Sequence, residues 1–205
     1  MSEPTLLKRI MIAEDDPAVL HFFKTLITRS GYECVGTAST GVDAVSMAQS
    51  LKPDLLILDF HMPLLNGIEV LGRITPTDNM AIVFVTADPD PVVARQALNA
   101  GAAGYLLKPC DALQVVPMLE TAWHRFQTVR VMKAESKALQ ETLDLRKLME
   151  QAKGILMEQQ GFTESEAHRL LQKMSQDQGI LVKDVCRSLI QVRLALSKRA
   201  VRRTA

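Results

Sequence analysis

The sequence predicts an α/β domain with a five-stranded parallel sheet, then a long connector helix, then a small all-α domain of three helices. Two observations predict the first part. Short apolar runs alternate with amphipathic helical segments five times between residues 8 and about 124, which signals a parallel sheet with helices on both faces. The runs are also continuous, as in Leu55-Leu56-Ile57-Leu58, which marks strands buried on both sides. A third observation predicts the rest. From Asp111 to about Gln160 only Pro117 and Gly154 interrupt a helical pattern. With 205 residues the chain is long enough for one full core and a smaller appendage.

Lys8 to Ala13 is the first strand and stops at Glu14-Asp15-Asp16. Asp16-Pro17 then supplies an N-cap and a proline at the first helical position, with Val19, Leu20, Phe23, Leu26 and Ile27 following at helical spacing. Tyr32 to Thr37 is the second strand, and Thr40-Gly41-Val42-Asp43 opens the second helix in a loose capping-box pattern. Lys52-Pro53-Asp54 introduces the third strand, Leu55 to Asp59, and a short helix follows from Asn66 to Ile74. Met80 to Val85 is the fourth strand and ends at Thr86-Ala87; Asp90-Pro91 starts the next helix, which Gly101 ends. Gly104 to Leu107 is the fifth strand, ending at Lys108-Pro109, and Asp111 caps the helix after it.

Composition narrows the function classes. Net charge is only +1, yet the end of the chain carries Lys183, Arg187, Arg193, Lys198, Arg199, Arg202 and Arg203 against the single acid Asp184. Such an end suits an anionic partner, although a solvated tail has the same composition. The three cysteines, Cys34, Cys110 and Cys186, form no CxxC pair, and the four histidines lack metal-ligand spacing. From the cysteines, reduced thiols are expected, not a disulfide frame or a metal site. No signal peptide precedes the first strand and no apolar run is long enough to cross a bilayer, so a soluble cytoplasmic protein is expected.

Function is sought at the carboxyl ends of the strands, where open parallel sheets place their ligands. Asp59 stands at one such end, and an aspartate there also suits a structural turn, so the other ends must decide. They carry Glu14 and Asp15, Thr86, and Lys108. Three gathered carboxylates repel one another unless a cation or a proton relieves them, and oxygen-only ligands favour a hard cation such as magnesium. A hydroxyl and an ammonium nearby suit the oxygens of a phosphoryl group, and a carboxylate can be the nucleophile that forms an aspartyl-phosphate.

In this order, Glu14-Asp15, Asp59-x-x-Met62-Pro63, Gly67, Thr86-Ala87, Tyr105 and Lys108-Pro109 resemble the receiver domain of two-component response regulators. The resemblance covers residues 8 to about 124 and implies a flavodoxin-like, doubly wound sheet with strand order 2-1-3-4-5. It implies that Asp59 accepts a phosphoryl group from a sensor histidine kinase. Asp15, Asp59 and the backbone carbonyl of His61 would bind magnesium, with Glu14 holding it through water. Lys108 would pair with the phosphoryl group, Thr86 would swing toward it, and Tyr105 would follow as the switch; a cis Lys108-Pro109 bond would aim the lysine. Cys110 stands where the family often has an aromatic residue.

Beyond the receiver the domain limits are set at residues 1–124, 125–144 for the connector and 145–205 for the last domain. Leu119, Trp123 and Phe126 make one apolar seam and Met132, Leu139 and Leu143 a later one, with a slip between them. A locally unwound coiled coil and a helix folded back on its own domain both satisfy that pattern. The last domain has no catalytic constellation, so it is expected to bind something and the protein is not expected to be an enzyme. Thr163-Glu164-Ser165-Glu166 is a capping box, and Gly161 and Gly179 end helices.

Three short helices suit a helix-turn-helix DNA reader. The run Ala152-Lys153-Gly154-Ile155-Leu156-Met157, followed by Gly161, Thr163, Glu166-Ala167, Leu171 and Asp184-Val185, instead resembles the ANTAR domain of transcription antiterminators. That resemblance implies a dimer that holds paired stem-loops in nascent mRNA. As the mechanism, phosphate on Asp59 is expected to favour the homodimer along the connector. Lys147, Lys153, Arg169, Lys173, Lys183 and Arg187 are candidate phosphate contacts. Few aromatics are available to stack bases, Phe162 being the only one after Phe126. Gly154 permits either close helix packing or close approach of RNA, and packing is the preferred reason. A DNA-binding regulator and a protein-interaction module are the alternatives.

Overall fold

Five parallel strands hydrogen-bond in the order β2-β1-β3-β4-β5, the order expected. They are β1 (Arg9–Ala13), β2 (Glu33–Ala38), β3 (Leu55–Asp59), β4 (Ala81–Thr86) and β5 (Gly104–Leu107). Helices α1 (Pro17–Arg29), α2 (Gly41–Leu51), α3 (Gly67–Arg73) and α4 (Pro91–Asn99) connect them, and α5 (Ala112–Gln160) follows the last strand. This computed structural model describes residues 6–74 and 80–201, with side chains described as far as Arg193. The chain divides into two compact units, Met1–Val131 and Met132–Ala205. The side chains of Lys198 and Arg199, and all of Arg202 and Arg203, lie outside the described part, so the expected basic tail is left aside.

The pleat sorts each strand's residues onto two faces. Ile10, Ile12, Leu55, Ile57, Val83 and Val85 pack with Phe23 and Ile27 of α1 and with Val115 and Leu119 of α5. Met11, Ala13, Leu56, Leu58, Ile82 and Phe84 pack with Ala44 and Ala48 of α2, Val70 of α3 and Ala97 of α4. All five residues of β3 are buried, which is why the sequence shows an unbroken apolar run there. Leu119 and Trp123, the part of the first apolar seam inside the receiver limits, belong to this core, and Phe126 just beyond those limits packs against it.

Local signals place the elements. Asp16 caps α1, accepting from the backbone N–H groups of Ala18 and Val19, and Thr40 accepts from Asp43 N at the start of α2. Asn66 and Glu69 form a reciprocal capping box on α3. The Gly41 N–H donates to Pro63 O at 3.2 Å, and a Cβ at Gly41 would lie 2.2 Å from Leu65 O. The turn that follows β3 therefore rests on a bare glycine. Leu64 in that turn has φ 71° and is 76% exposed.

Helix α5 is continuous for 49 residues and takes in Pro117 in its second turn. Residues 128–147 are exposed throughout, including Met132, Leu139 and Leu143 at 62%, 63% and 45%.

In the second unit the end of α5 joins α6 (Glu164–Gln178) and α7 (Val182–Val201). Their core is Ala152, Leu156, Ala167, Leu171, Val185 and Cys186, with Phe162 packed against it. Thr163 and Glu166 form the expected capping box, and Gly161 and Gly179 have φ +70° and +64°. Gly154 requires a correction. Among the described residues, its chain neighbours and its own helix backbone excepted, no atom lies within 4 Å of where its Cβ would stand, so tight packing against them is not why it is glycine. It remains a mid-helix glycine that costs about 1 kcal/mol relative to alanine.

Candidate functional site

Parallel pairing brings four strand ends to one edge of the sheet. β1 delivers Glu14 and Asp15, β3 ends on Asp59, β4 ends on Thr86, and β5 leads into Lys108. Because β1 and β4 flank β3, Asp59 sits between the acidic pair and the threonine. Carboxylate oxygens of Glu14, Asp15 and Asp59 all lie within 4.8 Å of one another. Glu14 and Asp59 are 2% and 5% exposed, whereas Asp15 is open to solvent.

Lys108 supplies the compensating charge. Its Nζ lies 2.9 and 2.7 Å from the two Glu14 oxygens and 3.2 Å from Asp59 Oδ2. The Lys108-Pro109 bond is cis. Burial pushes the Glu14 carboxyl up to about 7; the Lys108 hydrogen bond opposes this and the Asp59 charge adds to it. Burial works to lower the Lys108 pKa, but the Glu14 hydrogen bond and the Asp59 charge outweigh it and hold the ammonium above its ordinary value. A cation entering this cluster would relieve the same repulsion, and the donor set of three carboxylates fits a hard divalent ion. The His61 N–H reaches Asp59 Oδ1 at a long 3.4 Å.

Thr86 is fully buried, and its hydroxyl oxygen accepts from the Asp88 N–H at 3.1 Å. The Tyr105 hydroxyl donates to the carbonyl of the same residue, Asp88, at 3.0 Å. Thr86 and Tyr105 are therefore joined through one peptide residue. Sequence reasoning missed Asp88 because it acts through its backbone, and backbone groups leave no residue-type signal. Burial, with the Asp88 and Asp90 charges behind it, raises the Tyr105 pKa, so the phenol stays a donor.

The cations of the second unit separate into two kinds. Lys147, Arg169, Lys173, Lys183 and Arg187 are exposed. Lys153 is buried at 7% exposure and its Nζ lies 2.7 Å from both Glu150 and Glu164, so it ties the end of α5 to the first turn of α6.

Residues 10–120 match the response regulator receiver domain and residues 137–190 match the ANTAR domain. The chain belongs to the response regulators that join a receiver to an ANTAR domain. It is 34% identical over 184 residues to the transcriptional regulatory protein PdtaR of Mycobacterium tuberculosis, covering 90% of each chain. It is also 34% identical over 113 residues to the chemotaxis protein CheY of Thermotoga maritima, covering 55% of this chain and 94% of that one. Among solved structures, the receiver domain of a modulated diguanylate cyclase from Desulfovibrio desulfuricans G20 superposes with a TM-score of 0.55 at 27% identity, covering 60% of this chain and 98% of that one.

The receiver match runs from β1 into the first turns of α5, so it contains every strand-end residue of the acidic site. The ANTAR match takes in the second half of α5, all of α6 and the start of α7. Cys110, where the family often has an aromatic residue, packs half-buried beside the receiver core, and Cys186 is fully buried in the ANTAR core, where a small apolar side chain fits.

Proposed function

We propose that this response regulator is a phosphorylation-controlled antiterminator. Asp59 accepts a phosphoryl group from a sensor histidine kinase, and the ANTAR unit holds paired stem-loops of a nascent transcript. The observation that carries the reading is the Lys108 ammonium lying against both Glu14 and Asp59. An Asp59 oxygen bonds to phosphorus as the P–N bond of the kinase's phosphohistidine breaks, and the histidine leaves. Asp15, Asp59 and the His61 carbonyl would hold magnesium, with Glu14 acting through water; the ion would neutralise charge on the phosphoryl oxygens. Lys108 turns from Glu14 toward the new dianion, and Thr86 offers its hydroxyl once it releases the Asp88 N–H. Tyr105, held at the Asp88 carbonyl, responds to that release. The protein performs no further catalysis. Among the described residues no helix is long and apolar enough to cross a membrane, and we place the protein in the cytoplasm.

On the output side Lys147, Arg169, Lys173, Lys183 and Arg187 contact phosphates, with Gly154 at the point of closest approach. Lys153 sets the helices through its two ion pairs. A gel shift tests this unit. Tandem stem-loop RNA should bind more tightly than duplex DNA of equal length, with an affinity that falls steeply between low and moderate salt. Preference for the DNA duplex would leave a DNA-binding regulator in its place, and binding to neither would leave a protein-interaction module.

Pairing of two copies links input to output. Met132, Leu139 and Leu143 expose apolar side chains at spacings of seven and four on α5, which suits a coiled-coil seam with a second copy. Light scattering with beryllofluoride should give a dimer mass for the natural sequence and a monomer mass for Leu139→Glu/Leu143→Glu. The same variant should lose on the order of a hundredfold in affinity for tandem stem-loops through lost effective concentration. A variant that still pairs would remove the seam from the mechanism.

A further inference from the structure

The end of α5 and the middle of α7 leave a groove of about 500 Å³ between them, lined by Gln151, Gly154, Ile155, Glu158, Ile190 and Arg193. Gln151, Gly154, Ile155 and Glu158 are spaced i, i+3, i+4 and i+7, so they form one face of α5. Gly154 is bare toward open space. Arg193 donates to Glu158 at 2.6 Å and bridges the two helices, which leaves the groove's own charges balanced. Its flanks are cationic. Lys147 lies one turn before Gln151 on α5, and Lys183 and Arg187 lie seven and three residues before Ile190 on α7, all of them exposed. The Arg187 ion pair to Asp184 is a loose 3.7 Å, so it leaves that guanidinium accessible.

We propose that this groove receives an unstacked base of an RNA loop, with the loop backbone crossing Gly154 and its phosphates meeting Lys147 and Arg187. The proposal rests on the RNA-binding reading of the ANTAR unit and names where a base is read. Recognition of loop bases needs a flat or apolar platform, and Phe162 is packed against the helical core. Ile155, Ile190 and the bare Gly154 backbone form an apolar floor instead. The Gln151 amide, the Arg193 guanidinium and the Glu158 carboxylate stand around it as donors and acceptors for a base edge. Charge selects the occupant. The flanking cations suit an anionic strand, whereas a second copy would bring its own Lys147, Lys183 and Arg187 against them.

The test uses the full chain, an RNA of two linked stem-loops, and the same RNA with single abasic sites in its loops. Gly154→Ala should raise Tm by about 2–4 °C, because it improves the helix and meets no neighbour. Gly154→Leu fills the groove and should weaken RNA binding at least tenfold, with mass and phosphoryl labelling unchanged. One abasic site should weaken binding to the natural chain but cost Gly154→Leu no more, since the pocket is already lost. Should Gly154→Leu lose helicity, Gln151→Ala at an exposed position replaces it, with an expected loss of at least threefold for the intact loop and none for the abasic one. Full RNA affinity in these variants would overturn the groove assignment while leaving RNA binding intact. A change of mass that tracks the change in affinity would assign the groove to a second copy and overturn it as well. If the natural chain binds no stem-loop RNA in either phosphorylation state, the parent reading itself fails.

Discussion

Replacing Asp59 with asparagine is expected to abolish incorporation of label from radiolabelled acetyl phosphate while leaving the fold in place. The amide keeps the shape of the carboxylate at a position only 5% exposed, and Lys108 retains its two short contacts to Glu14. What disappears is the anionic oxygen that bonds to phosphorus. Asp15 does not substitute for it, because it lies open to solvent and Lys108 makes its described contacts with Glu14 and Asp59. Circular dichroism should show unchanged helix content, and labelling should fall to background. Persistent labelling would move the acceptor elsewhere and remove Asp59 from the input.

Gly41→Ala is expected to be among the most damaging single-methyl additions to the receiver. Its new Cβ would meet Leu65 O at 2.2 Å, and that oxygen belongs to a backbone turn with no rotamer to change. The turn is pinned from both sides, by the Gly41 N–H on Pro63 O and by the Asn66–Glu69 capping box that starts α3. A loss of about 3 kcal/mol is expected, at the upper end for overpacking, which lowers Tm by roughly 10 °C for a domain of this size. Phosphoryl labelling should slow as well, because the turn that moves follows directly from Asp59. The same substitution at Gly154, where open space awaits the methyl, should act in the opposite direction on stability. Equal melting behaviour at the two glycines would contradict the packing described for both.

The receiver was legible because its signals are local. Continuous apolar runs too short for a helix and bounded by turn residues suit strands with both faces covered, and Asp16, Thr40 and Asn66 each announce a helix start through their own side chains. Once the strands are parallel, the identities of Glu14, Asp15, Asp59, Thr86 and Lys108 bring the acidic cluster to one edge. The remainder depends on three-dimensional neighbours with no spacing rule. The Asp88 peptide joins Thr86 to Tyr105 through its N–H and C=O, which any residue type carries. Lys153 looks like a surface cation until Glu150 and Glu164 are seen to enclose it. Phe126 carries a helical repeat that a connector and a core helix share, and only its packing assigns it to the receiver core. Gly154 reads as a packing glycine by general precedent, and only the empty space beside it argues otherwise.

Control of RNA binding by Asp59 is the central claim, and one titration tests it most directly. Affinity for tandem stem-loop RNA should be measured with the full chain at fixed salt, with and without beryllofluoride and magnesium, and again with Asp59→Asn. The account predicts tighter binding on addition of beryllofluoride to the natural chain, by on the order of a hundredfold if pairing supplies the gain, and no response from Asp59→Asn. Equal RNA affinity in both states of the natural chain would contradict it.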